Sequence, residues 1–253
     1  MASVVDALQE SLQEDMALLK IVGYAIPVYF IANWFITGKM HLVIVYGVLV
    51  AALLVGLLSV GINNVRTNKR EILSINPIAI FVAIIKSAIV LVPQLLIYSF
   101  IGYFLTVKLS IPIEVPHFHL IFSIVVWTVI GSVILTSYMS FAKYLDVVQG
   151  YNYKVIGESC IDVLVSLIVF LPQLALANLV LIGPVAYLYY YLFRLPFTHW
   201  AFVAYCSAAF IVNVSIFANY LAQAAYEHIK GNNDEYNENI QLSKIEIESQ
   251  KRF

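Results

Sequence analysis

The stretch "IPIEVPHFHL", residues 111–120, sets Glu114, His117 and His119 around Pro112 and Pro116 in a chain with only 5 histidines. Imidazole and carboxylate are zinc-ligand chemistry, and zinc takes three or four such groups. Pro116 argues against that use. Proline favours the first turn of a helix, and on a helix His117 and His119 would point about 200° apart. The positive helix end also disfavours imidazolium. The stretch therefore reads as a polar turn ending on a half-wet histidine, and no metal or other cofactor is expected.

His119 has counterparts. "GKMHLVIVY", "PHFHLIFSI" and "PFTHWAFVA" each open an apolar run, with His41, His119 and His199 at spacings of 78 and 80. Pro116–His119 and Pro196–His199 share a P-x-x-H pattern, with Gly38 in the proline's place before His41. If the three runs are equivalent, these imidazoles lie at one depth, where they would anchor helix entrances or respond to pH near neutrality.

Other candidates lie inside apolar runs. Lys86 is a functional suspect because charge is expensive in lipid. It also stands about 20 residues before Lys108, near the end of its run, so its stem can snorkel to the headgroups. Lys20 occupies a similar boundary. Gln94 and Gln173 directly follow Pro93 and Pro172, where the missing N–H frees a carbonyl that an amide could bond. With Asn213, and with Asn33, Asn178, Asn219 and Gln223, they would line a polar path or tie helices together. Small residues at spacing four, Ala52 and Gly56, or Ser132, Thr136 and Ser140, imply close helix packing. Tyr187, Tyr189, Tyr190 and Tyr191 fit an interfacial aromatic belt. No HExxH, GxSxG or phosphate-cradling loop occurs, and no enzyme is expected. Asp146, Glu158 and Asp162, with Lys143 and Lys154, read as a solvated loop or docking surface.

The elements that position these residues follow from composition. The chain has 253 residues, 62% hydrophobic and 11% charged, with mean hydropathy +0.88. Soluble domains carry roughly 25% charged residues, so this chain belongs in a bilayer. A net charge of −1 offers no basic face for nucleic acid. Cys160 and Cys206 are too few and too distant for a disulfide framework. The acidic N-terminus does not resemble a secretory signal.

Crossing ~30 Å of hydrocarbon takes roughly 20 apolar residues as helix. Six runs qualify, at about 18–36, 41–62, 80–106, 119–140, 163–192 and 199–225, and none alternates as a barrel strand would. The loop after the second run holds Arg66, Lys69 and Arg70, the loop after the fourth Lys143 and Lys154, and Lys230 follows the sixth. The opposite loops hold Lys39, Lys108 and Arg194. Basic loops favour the inner side, so both termini are expected on the cytoplasmic or equivalent inner face.

A repeat runs through the chain. Pro93 and Pro172 lie 79 residues apart, Pro27 has a comparable depth, and Lys20 and Lys86 each precede their proline by seven. Val165 takes that position in the third unit. The expected fold is all-α and polytopic: six transmembrane helices as three same-orientation hairpins, about 18–62, 76–140 and 160–228, around a pseudo-threefold axis. Parallel repeats of this kind occur in transporters. Val5, Leu8, Leu12, Met16 and Leu19 recur at three to four residues, so 1–17 is expected as an interfacial amphipathic helix. The membrane domain is then 18–230, and the polar tail 231–253 is solvated or docks a partner. Three hairpins with prolines in the odd helices invite comparison with mitochondrial carriers. Their acid-then-base pattern after each proline is missing from "VYFIA", "QLLIY" and "QLALA".

The expectation is a non-catalytic, multi-pass protein, embedded in lipid as a structural or assembly subunit beside other membrane proteins or its own copies. The alternative is a transporter or channel for a small neutral solute along the axis.

Overall fold

The computed structural model describes residues 8–9, 12–67, 69, 71–108 and 118–229. Six long helices carry them: α1 Ala17–Ile36, α2 Met40–Arg66, α3 Pro77–Tyr103, α4 Phe118–Tyr144, α5 Tyr153–Tyr187 and α6 Trp200–His228. There is no strand among the described residues. All six are long and apolar enough to cross a membrane. Large side chains such as Leu18, Leu96 and Leu179 are 74%, 69% and 70% exposed on the bundle surface, an apolar exterior suited to a membrane rather than to water. Glu114 and His117, most of the expected N-terminal helix and the tail from 230 lie outside the described residues.

Helix starts follow local chemistry. Asn76 Oδ1 accepts from the Ile78 and Ala79 amides, and Pro77, lacking an N–H, follows in the first turn. Asn152 caps α5 through the Val155 amide, so this helix begins ten residues before its apolar run. Its first turns are polar because they need not lie in lipid. The tight α1–α2 turn uses Gly38 at φ 74. There a β-carbon would strain the backbone. π-helical turns, Phe104–Lys108 and Leu188–Leu192, end α3 and α5 at the same end of the bundle.

The even helices α2, α4 and α6 pack against one another, and each odd helix fills a groove between two of them. α1 lies on α6 and α2, α3 on α2 and α4, and α5 on α4 and α6. We call the end carrying the α1–α2 and α5–α6 connections the turn end, and the other the terminal end. Burial is concentrated towards the terminal end: α2 has no buried residue before Gly56, α4 none before Ile130, and α5 none after Phe170. The core there joins Ile62, Val90, Met139, Phe141, Val163, Ile216 and Leu221. Gly56 allows α3 to approach, since a β-carbon would come within 2.6 Å of Ile84 Cγ1 and 3.0 Å of Ile80 O.

Candidate functional site

The contact between α2 and α4 is polar and buried. Tyr138, on α4, reaches Ser59 Oγ on α2 at 2.8 Å and also donates to Val55 O at 3.0 Å. Ser59 Oγ lies 3.0 Å from Ser87 Oγ on α3. All three side chains are buried, Ser59 completely. In a dry interior such groups are tolerated because each finds a partner. Ser59 and Tyr138 are 79 residues apart, and Asn63 donates to Lys143 O across 80. On the α6 side, a β-carbon at Gly61 would stand 3.6 Å from Ala218 Cβ, 157 residues on. These offsets match the histidine spacings.

Around this centre, each segment that follows an even helix is clasped to neighbouring helices. After α2, Glu71 lies 3.8 Å from Lys20 Nζ, and the Leu73 amide donates to Glu14 at 3.3 Å. Tyr24 donates to Ser74 O. After α4, Lys86 Nζ donates to Leu145 O at 2.9 Å. Gly150 O accepts from Gln94 Nε2 at 3.0 Å and from Ser137 Oγ at 2.5 Å. After α6, Lys143 Nζ donates to Ile229 O at 2.6 Å and Ser159 to His228 O at 2.7 Å.

The sequence candidates distribute over this frame without converging. Lys86, half-buried, gives its ammonium to the Leu145 carbonyl just past the end of α4, at the terminal end of the bundle. Lys20 likewise pairs with Glu14 rather than headgroups. Gln94 is buried, bonded to Ser137 Oγ at 2.5 Å as well as to Gly150, and its Oε1 has no partner. The carbonyl that Pro93 frees, Ile89 O, is taken instead by Tyr151 at 2.6 Å. Gln173 is exposed on α5. Asn213 forms a reciprocal amide pair with Asn178, at 2.7 and 2.9 Å, tying α6 to α5.

His41, His119 and His199 all stand at the turn end of the even helices. His41 and His119 are exposed, whereas His199 is half-buried and caps α6 through Nδ1, 3.4 Å from the Ala201 amide. The ring of His119 meets Phe118, and that of His199 meets Tyr189 and Trp200. Among the described residues no three His, Cys, Asp or Glu side chains gather as a metal site.

Sequence reasoning missed Glu14, Ser59, Ser87, Ser137 and Tyr138, and it put Lys143 in a solvated loop or docking surface, whereas it is 4% exposed. The one available signal was the Ser132–Thr136–Ser140 stripe, which marks the buried face of α4. No protein-family model, curated protein or solved structure matches the chain. Its fold defines a class all the same: a multi-pass, all-helical membrane protein.

Proposed function

We propose that this chain is a non-catalytic integral membrane protein acting as a structural or assembly subunit of a larger membrane complex. Tyr138 carries the reading. It is buried where α2 and α4 meet, with its hydroxyl bonded to both Ser59 and Val55, so the polar groups between these helices are spent on each other rather than left for a solute. Gln94, Gln173 and Asn213, which a polar path would need together, face three different surroundings. The apolar flanks of α4 and α5, with Trp127, Ile161, Leu176 and Val180 outward, offer broad area to other membrane proteins or to a second copy as well as to lipid.

The same proposal takes the fold as three hairpins of one orientation about a pseudo-threefold axis. Support comes from the cyclic packing of odd on even helices and from core contacts at offsets of 79 and 157 residues. Lys20 and Lys86 add to it, since each reaches the segment after the even helix of its own hairpin. Basic residues at the terminal end support placing both termini on the cytoplasmic side. On this reading residues 1–17 lie along that interface and 231–253 are available to a partner.

The test is gentle extraction from the native membrane, followed by native electrophoresis and mass analysis. A defined assembly containing this chain at fixed stoichiometry is the expected result. A lone monomer that moves small neutral solutes in liposomes overturns the proposal.

A further inference from the structure

At the turn end, α1 and α6 do not close against each other. A groove of about 470 Å³ opens between them, lined by Val28 and Ile36 on α1, Val43 on α2, and Phe197, Ser207 and Phe210 beside or on α6. That volume falls in the range of ligand pockets, roughly 300–1,000 Å³. The stretches from Val28 to Ile36 and from Phe202 to Phe210 each rise about 12 Å as helix. The groove therefore runs nearly the depth of one hydrocarbon leaflet, half of ~30 Å. It is almost wholly apolar, and Ser207 Oγ is already satisfied by Val203 O at 2.8 Å.

The rim has the opposite character. Lys39 lies in the turn between Ile36 and Val43, and Arg194 lies three residues before Phe197, so both belong to the connections that flank the groove's mouth. Both are exposed. His199 follows Phe197 by two, with its Nδ1 held as the cap of α6. Every carboxylate among the described residues, from Glu14 to Glu227, belongs to the terminal end. The mouth is thus cationic and the groove beneath it is a slot for hydrocarbon.

We propose that this groove is a binding site for one anionic glycerophospholipid of the turn-end leaflet, an acyl chain lying between α1 and α6 and its phosphate at Lys39 and Arg194. A transmembrane helix of a partner would need contact along the full bilayer, about twice the groove's length. The lipid site is independent of the subunit reading, since a lone protein would hold the same molecule.

The experiment places the full chain in phosphatidylcholine nanodiscs doped with phosphatidylglycerol that carries a photoreactive group in its acyl chain. Peptide mapping after irradiation is expected to find the label concentrated in residues 28–43 and 197–210. Lys39→Ala with Arg194→Ala lowers that labelling about fivefold, the factor that goes with a surface ion pair. Diacylglycerol with the same tail labels the groove weakly and does not respond to the two substitutions. Ala32, on the α1 wall of the groove, and Val43, on a different helix, serve as filling positions: Ala32→Trp and Val43→Trp each fill the slot and remove the groove label while thermal unfolding stays close to that of the parent chain. Label spread evenly over six helices overturns the proposal, as does equal labelling by the two lipids or cross-linking of two copies through the groove.

Discussion

Glu14 Oε1 and Lys20 Nζ stand 2.5 Å apart with side chains only 2% and 6% exposed. Met16, in left-handed backbone at φ 58, reverses the chain just before α1 and brings the carboxylate back over the first turn of the helix. The other Glu14 oxygen accepts from the Leu73 amide at 3.3 Å. One ion pair therefore fastens the N-terminal segment, α1 and the α2–α3 connection together. Of the expected interfacial stripe, Leu12, Met16 and Leu19 point outward at 50%, 67% and 68% exposure, while Leu8 packs against the core. The acid is inside because its partner is.

Removing Glu14 leaves the buried Lys20 ammonium with only the more distant and more exposed Glu71 carboxylate, 3.8 Å away. Glu14→Ala is expected to lower stability by about 3–5 kcal/mol, the usual result of breaking a buried pair. Glu14→Gln combined with Lys20→Met, which keeps volume and removes both charges, should stand much closer to the parent chain. Thermal unfolding in mild detergent checks both. Equal loss for the single and double variants would show that packing, not charge pairing, matters here.

Two glycines separate close approach from helix propensity. A β-carbon at Gly61 would come 2.7 Å from Ile72 O, a backbone atom that cannot swing away, whereas at Gly131 nothing lies within 4 Å. Gly61→Ala is expected to destabilise by about 1–3 kcal/mol through overpacking. Gly131→Ala should be neutral or stabilising by up to ~1 kcal/mol, because alanine is the better helix former. Melting temperatures of the two variants, measured side by side, should move in different directions or at least by clearly different amounts.

What was legible in the sequence was whatever lipid imposes. Long apolar runs mark helices because unpaired backbone is too costly in hydrocarbon, so all six spans were found, most within four residues of their observed ends. α5 started ten residues early because a helix leaving the bilayer loses its apolar signal without ending. Side-chain direction was legible on α4, where Ser132, Thr136 and Ser140 mark the buried face, and not on the helices without such a stripe. In a helix that is apolar on every face, no periodicity separates the inward stripe from the lipid-facing one. Hence Gln94 and Gln173 read as equivalents after their prolines, and Ser59 and Tyr138 drew no notice. Nor could spacing show that Tyr151, from a loop 58 residues beyond Pro93, would take the carbonyl that the proline frees.

That difference between the two glutamines is measurable. Gln94 is 2% exposed and holds Ser137 and Gly150 O, while Gln173 is exposed on α5. Gln94→Leu leaves Gly150 O with Ser137 as its one remaining side-chain donor and is expected to cost about 1–3 kcal/mol. Gln173→Leu, facing outward, should stay within about 0.5 kcal/mol. Chemical denaturation in mixed micelles reads both. Similar losses at the two sites would mean that Gln173 also meets a partner, in an assembly of several chains.

The Asn178–Asn213 pair isolates one helix–helix bond. Each amide donates to the other's carbonyl oxygen, and each Nδ2 also reaches a backbone oxygen four residues earlier in its own helix, Leu174 O and Ala209 O. Those local acceptors keep either amide partly satisfied when its partner is replaced, so single variants should be mild. A cycle of Asn178→Leu, Asn213→Leu and the double variant is expected to give a coupling near 0.6 kcal/mol and no more than about 1.7, the range for interhelical bonds in membranes. Unfolding in bicelles supplies the four free energies. A coupling of zero would mean that α5 is held to α6 by the Tyr220–Ser166 contact at 2.8 Å, Tyr205 on Leu181 O at 2.6 Å and the stacked Phe170 and Tyr220 rings instead.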